Sequence, residues 1–228
     1  KNCRQVFVVF GANTEVGKTL CSVGLVRAGL RRGDVSYLKP VQTGDGDVRI
    51  IEQYAKAARC YALYSWSTPC SPHLAAPKNE VPSDVTFTRA ISSWLAKSRE
   101  RLTIVETAGG VLSPAPSGTP QADLFMTLKE SLSVLLVGDG RLGGISATLT
   151  AVESLTARGL KPDAIALVGA DPQFGNADYL KTHFSETDLF DIPPPPPMPD
   201  SLDTWLNATA FYFDFALDRL LLSSNSLS

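Results

Sequence analysis

Histidine is nearly absent: only His73 and His183 occur in 228 residues, which excludes a multi-histidine metal site. The four cysteines (Cys3, Cys21, Cys60 and Cys70) form no Cys-x-x-Cys pair. That spacing argues against a metal cluster and for reduced thiols in a reducing compartment. Basic residues are not in excess: 21 Lys and Arg stand against 23 Asp and Glu, so nothing points to nucleic acid. No apolar run reaches the ~18 residues of a membrane-spanning helix. No internal repeat is visible. The first residue is Lys1, not Met, so a trimmed leader is compatible with the sequence and targeting stays open. What is present is 44% hydrophobic residues in a chain long enough for a substantial core, and we expect one domain over 1–228.

The most informative stretch is the start. The apolar run Val6–Phe10 feeds Gly11–Thr19, a loop closing on Gly17-Lys18-Thr19, and a helix-compatible pattern follows through Leu20, Val23, Leu25, Val26 and Leu30. Counted from Gly11 the loop is one residue longer than G-x-x-x-x-G-K-T; counted from Ala12 it fits the A/G form. Strand, loop and helix together read as a phosphate-binding P-loop. Its amides and the helix N-terminus cradle phosphate oxygens, Lys18 brings a charge to the terminal phosphates, and Thr19 offers a hydroxyl to Mg²⁺. The nucleotide-contacting residues expected here are Asn13, Thr14, Glu15, Val16, Gly17, Lys18, Thr19 and Leu20.

Strand-like and helix-like segments alternate along the rest. Strands are expected at Gln5–Phe10, Val35–Leu38, Leu102–Glu106, Ser133–Val137, Ala164–Val168 and Leu189–Ile192. Helices are expected at Lys18–Arg31, Asp47–Ala58, Asp84–Lys97, Gln121–Lys129, Ile145–Arg158, Ala177–Thr182 and Ser201–Leu221. The strands are short and apolar rather than alternating, the pattern of strands covered on both faces. This predicts an α/β fold of P-loop NTPase type, a mostly parallel sheet with helices on both faces and ligands at the strands' carboxyl ends. The proline run in 193–199 reads as a stiff connector into the last helix, with recognition by a proline-reading module as the alternative.

Three further strand ends carry chemistry. Pro40 forces Lys39 out of helical geometry, so the strand ends extended there and Lys39 stands at the ligand edge, unless it is an ordinary surface lysine. Asp47 can cap a helix or hold Mg²⁺. Glu106, before Thr107-Ala-Gly-Gly110, occupies the tip where P-loop proteins place a metal-ligating carboxylate; facing water is the alternative. Thr19, Asp47 and Glu106 together supply the hard oxygens Mg²⁺ prefers, with Asp45 an alternative to Asp47. The glycine-rich Gly138–Ser146 opens a helix and can receive a carboxylate, or is simply a flexible turn.

With these residues assembled, the chain resembles dethiobiotin synthetase. The resemblance covers most of the chain and rests on Gly11–Thr19, Lys39–Gly44, Ser71-Pro72-His73, Val105–Gly110 and Val137–Ser146. Ser71–Ala76, Val105–Val111, Ser117–Thr119 and Leu136–Ser146 look most like the eukaryotic form, which is fused to a diaminopelargonic acid aminotransferase. The chain has no room for that enzyme, so the resemblance concerns the synthetase part.

The resemblance implies an ATP- and Mg²⁺-dependent ligase of biotin biosynthesis. Carbon dioxide is captured on one amine of diaminopelargonic acid, the carbamate is phosphorylated, and the second amine closes the ureido ring. Lys18 and Lys39 would act on the phosphoryl group and carbamate; Thr14, Glu15 and Thr43 would approach the reacting groups. Substrate would also meet Glu106, Gly109 and Gly110, and its carboxylate would reach Gly143, Gly144, Ile145 and Ser146 across a homodimer interface, with Tyr179 nearby. An intracellular location is implied, mitochondrial if the eukaryotic likeness holds. Bacterial members read the nucleotide base with an asparagine where this chain has Ala170, which leaves base preference open. The competing reading is a switch ATPase of the partitioning or targeting type. Those proteins carry a lysine five residues before the Gly-Lys-Thr lysine, where this chain has Asn13, and Lys39 looks like the replacement cation.

Overall fold

The computed structural model describes residues 4–44, 46–197 and 202–225. Cys3, Asp45, Ser201 and the 198–199 end of the connector lie outside the described residues. The chain runs β1 (Gln5–Gly11), α1 (Lys18–Leu30), β2 (Val35–Thr43), α2 (Asp47–Tyr54), β3 (Arg59–Trp66), α3 (Pro72–Ala75), α4 (Asp84–Lys97) and β4 (Leu102–Glu106). It continues with α5 (Gln121–Phe125), a 3₁₀ turn (Met126–Ser131), β5 (Ser133–Val137), α6 (Gly144–Thr156) and β6 (Ala164–Val168). A second 3₁₀ turn (Pro172–Phe174), α7 (Asn176–His183), β7 (Asp188–Ile192), α8 (Leu202–Ala208) and α9 (Ala210–Asn225) complete it.

The strands form one parallel sheet in the order β3-β2-β4-β1-β5-β6-β7. Strand alternation sorts the core into two layers. Phe7 and Val9 of β1 face the layer that includes α1, α8 and α9, while Val8 and Phe10 face the layer that includes α4, α5 and α6. The α/β class with a doubly covered parallel sheet is as the sequence predicts. Because β1 lies between β4 and β5, the chain reverses its direction of travel across the sheet there, and a crevice opens at the carboxyl ends of the strands.

Helix α1 is buried on most of its circumference. A Cβ at Gly24 would sit 2.4 Å from the Phe213 ring, so glycine lets α9 lie directly on α1. Arg27–Asp203 at 2.7 Å, Arg31–Asp214 at 2.7 Å and Arg32–Asp218 at 2.5 Å tie the exposed rim of this contact. The C-terminal helices thus brace the helix that carries the P-loop.

The structure corrects several sequence expectations. A seventh strand, β3, occupies an edge and was not expected, although its Cys60–Tyr64 run is apolar; its residues are mostly half-exposed. Strand β2 does not stop at Lys39 but runs on to Thr43. Its pairing with β4 ends at Leu38–Val105, so Pro40 enters the strand where that ladder no longer needs an N–H. The helix expected at Gln121–Lys129 tightens into 3₁₀ geometry after Phe125. The single last helix is two, broken at buried Thr209, whose hydroxyl donates back to the Trp205 carbonyl at 2.7 Å. Ser71-Pro72-His73 opens the short α3, with Pro72 in its first turn.

Candidate functional site

Residues two apart on a strand share a face. Tyr37 and Ile104 lie side by side in the α1 layer of the core, and the next same-face positions toward the strand tips are Lys39 and Glu106. Both emerge beneath the P-loop. Lys18 and Thr19 open α1, and Asp47 opens α2, so three segments deliver their polar ends to one place. The loop closes on Gly17, whose φ of 95° belongs to glycine, and a Cβ there would come within 3.0 Å of Val168.

The convergence is tight. Thr19 Oγ1 lies 2.9 Å from Asp47 Oδ1 and 2.9 Å from Glu106 Oε1. A hydroxyl has one proton, so it can donate to only one of these oxygens at a time. Lys39 Nζ supplies the other positive contacts: 2.6 Å to Asp47 Oδ2, 2.8 Å to Glu106 Oε1 and 3.2 Å to the Thr107 carbonyl. The Tyr37 hydroxyl donates to Glu106 Oε2 at 2.9 Å. Glu106 is fully buried, and these contacts give both of its oxygens hydrogen-bond partners.

The protonation states follow from this packing. Burial opposes the Lys39 ammonium, but Glu106 and Asp47 outweigh it and hold its pKa above the usual lysine value. Burial likewise opposes the Asp47 carboxylate, and Lys39 with Thr19 overcomes it, leaving Asp47 below the usual range. Lys18 is different. Burial dominates over the Glu106 attraction and brings it down to about 8, and among the described residues its ammonium donates only to the Asn13 carbonyl, at 3.2 Å. It is therefore the loop cation waiting for an anion.

Two carboxylates and a hydroxyl, whose five oxygens can accept more protons than their neighbours donate, suit a small hard cation. Mg²⁺ is commonly held by one or two carboxylates together with substrate phosphates, and Thr19, Asp47 and Glu106 fit that role. Among the described residues no group of three or more His, Cys, Asp and Glu side chains is placed to hold a metal ion.

The cleft has a volume of about 420 Å³. Most residues singled out in the sequence line it: Thr14, Glu15, Gly17, Lys18, Thr19 and Leu20 from the loop and α1, with Lys39, Thr43, Asp47, Glu106 and Gly109 around them. Others do not. Val16 is buried, and the Asn13 side chain turns away, accepting from the Thr14 amide at 2.8 Å and donating to Asp139 at 3.4 Å. Gly110 packs against the loop backbone, where a Cβ would meet the Ala12 carbonyl at 3.3 Å. Gly143, Gly144, Ile145 and Ser146 sit at the start of α6 outside the cleft lining, and Tyr179 is half exposed on α7, stacked on His183. The sequence reading missed Val41 and Ala108 in the lining, the Tyr37 support of Glu106, and Asp139 and Arg141, which tie the loop after β5 to the P-loop. Tyr37 could have been found from its position two residues before Lys39 on the same strand.

Comparison with known proteins bears on family and fold. A family model described as an AAA domain matches residues 4–199. The chain is 39% identical over 207 residues to a bifunctional dethiobiotin synthetase/adenosylmethionine-8-amino-7-oxononanoate aminotransferase of Emericella nidulans, covering 86% of this chain and 26% of the relative. It is 34% identical over 280 residues to a mitochondrial bifunctional dethiobiotin synthetase/7,8-diamino-pelargonic acid aminotransferase of rice (Oryza sativa subsp. japonica), covering 94% and 34%. It is 36% identical over 169 residues to the ATP-dependent dethiobiotin synthetase BioD of Novosphingobium aromaticivorans, covering 72% and 76%. The chain thus spans about a quarter to a third of the bifunctional relatives and three quarters of the monofunctional one. Among solved structures, the Aquifex aeolicus MinC:MinD cell division protein complex aligns with a TM-score of 0.63 over 95% of both chains at 12% identity, a likeness of fold.

Proposed function

The chain belongs to the dethiobiotin synthetase family, and from that premise we propose that it closes the ureido ring of dethiobiotin from diaminopelargonic acid, carbon dioxide and ATP. The observation that carries the reading is the meeting of Lys18 and Thr19 with Lys39, Asp47 and Glu106 in one cleft. A carbamate and a triphosphate are both anions, and transferring a phosphoryl group between them needs cations on both sides of the moving group. Lys18 serves the triphosphate from the loop. Lys39, on a different element, serves the carbamate and the γ-phosphate.

In the proposed sequence one amine of the diamine adds to carbon dioxide and releases a proton, giving a carbamate. A carbamate oxygen attacks the γ-phosphorus of ATP and ADP leaves. The second amine attacks the carbonyl carbon and gives up a proton, phosphate leaves with the bond electrons, and the ring is closed. Thr14, Glu15 and Thr43 line the cleft and would orient the diamine. When bound by Thr19, Asp47 and Glu106, Mg²⁺ supplies charge neutralisation at the triphosphate oxygens. The α6 start at Gly143–Ser146, with Tyr179, would receive the substrate carboxylate in a homodimer; in one protomer these residues lie outside the cleft. Mitochondrial residence and association with an aminotransferase are supported by the names of the rice and Emericella relatives.

The test is turnover with ATP, Mg²⁺, bicarbonate and diaminopelargonic acid, reading ADP by coupled assay and dethiobiotin by mass spectrometry. One ADP per dethiobiotin is expected. ATP turnover indifferent to the diamine, or dependent on a protein or DNA partner, would overturn the reading in favour of a switch ATPase.

A further inference from the structure

The loop between β5 and α6 is fastened to the P-loop by a pair of residues that neither the phosphate site nor the proposed metal site uses. Asp139 is 4% exposed and firmly mounted. Its amide donates to Thr148 Oγ1 of α6 at 3.0 Å, and its carbonyl accepts from the buried Asn176 of α7 at 3.3 Å. The same Asn176 amide donates to the Arg141 carbonyl at 2.7 Å. The loop is too tight to hold any residue but glycine at 144, where a Cβ would fall 1.9 Å from the Asp139 carbonyl.

From this mount the Arg141 guanidinium reaches across to the P-loop. Its Nε and Nη2 donate to the two Asp139 oxygens at 2.9 and 2.7 Å, and Nη2 also donates to the Thr14 carbonyl at 3.2 Å. Asp139 accepts in addition from Asn13 at 3.4 Å, and Asn13 accepts from the Thr14 amide at 2.8 Å. Asn13 and Thr14, the first half of the loop, are therefore held from a rigid base of two helices, while α1 fixes the second half. The planar guanidinium matters because one fork serves a carboxylate and a carbonyl together, which an ammonium on a flexible stem does not do in a fixed geometry.

We propose that Arg141, seated on Asp139, is a positioning residue that holds the Asn13–Thr14 half of the P-loop in its phosphate-receiving shape. The inference rests on the reading of this cleft as an ATP site. A loop held in shape before the nucleotide arrives spares binding the cost of ordering it. Losing the clamp should then weaken nucleotide in ground and transition states alike, raising KM and sparing kcat.

The test is Arg141→Met and Arg141→Lys, with calorimetry of a non-hydrolysable ATP analogue in the presence of Mg²⁺, thermal unfolding, and steady-state kinetics. Arg141 is half exposed, so both variants should fold. Arg141→Met should bind the analogue about tenfold more weakly, about 1.4 kcal/mol, with KM for ATP raised to match and kcat within about threefold. Arg141→Lys should remain at least about threefold weaker than the unsubstituted chain. Affinity within about twofold in Arg141→Met, or full recovery with lysine, would overturn the clamp. Failure of the unsubstituted chain to bind the analogue would instead overturn the ATP-site reading itself.

Discussion

Replacing Lys39 with methionine keeps most of the side chain's length and removes only its charge and donors. Lys39 is 3% exposed and contacts Asp47, Glu106 and the Thr107 carbonyl. Without it the buried Glu106 keeps the Tyr37 hydroxyl and a share of the single Thr19 proton, and it faces Asp47 with nothing positive between them. Breaking a buried ion pair from one side costs about 3–5 kcal/mol. Part of Asp47 is solvated, so about 3 kcal/mol is the better figure. In a chain of this length that lowers Tm by roughly 6–12 °C. Mg²⁺ can replace the missing positive charge, so millimolar Mg²⁺ should return part of the lost Tm in the variant and change the unsubstituted chain much less. Catalysis should not return. A cation acting on the moving phosphoryl group is worth about 3 kcal/mol or more, so kcat should fall at least about a hundredfold while ATP-analogue binding persists. The measurements are differential scanning calorimetry with and without Mg²⁺, analogue titration, and dethiobiotin by mass spectrometry. An unchanged Tm, or kcat within about threefold, would refute the argument that Lys39 neutralises these carboxylates and serves the reaction.

Three other outcomes are expected. Lys18 sits at about 8 in the folded chain against 10.5 ordinarily, so the unfolded chain binds more protons between those values and this residue's contribution to stability rises with pH across that window. Phosphate draws the proton back, so ATP binding near pH 9 should take up protons, visible as a dependence of calorimetric enthalpy on buffer ionisation heat and lost in Lys18→Ala. Glu106→Gln should weaken Mg²⁺-dependent nucleotide binding about tenfold or more, and a crystal of the unsubstituted chain with nucleotide and Mg²⁺ should place Glu106 and Asp47 oxygens at roughly 2.1 Å from the metal or one water away; Glu106 still bonded only to Tyr37 and Lys39 there would count against it. Gly17→Ala should cost about 1–3 kcal/mol in denaturant titration and weaken nucleotide binding, since its φ is positive and Val168 stands 3.0 Å from the new methyl.

The sequence made most of the site legible because its parts are local. A Gly-Lys-Thr after an apolar run, a proline fixing Lys39 as extended, and an acid at a strand tip each announce themselves within a few residues. The inner strands were legible for the same reason, being short apolar runs covered on both faces. Edge strand β3 was not, although Cys60–Tyr64 is apolar, because the helix expected at Asp47–Ala58 ran up to its first residue, whereas α2 ends at Tyr54. The break at Thr209 was hidden because alanines flank it and only a side-chain bond back to Trp205 marks it. Tyr37, Asp139 and Arg141 were missed because their roles exist only across the sheet or between loops: Arg141 and Thr14 are 127 residues apart in sequence.

One consequence follows from the sharing of Lys39 between Asp47 and Glu106. The cleft behaves as an ion exchanger already loaded with its own counter-ion. A free metal ion must displace an ammonium to reach the carboxylates, and a free triphosphate must draw that ammonium away from two acids. On the proposed reading a metal–nucleotide pair would do both at once, trading one set of charge contacts for another. On that reading the cleft would thereby favour a metal–nucleotide pair over a bare polyphosphate or a free divalent cation, though either would find a complementary charge within it.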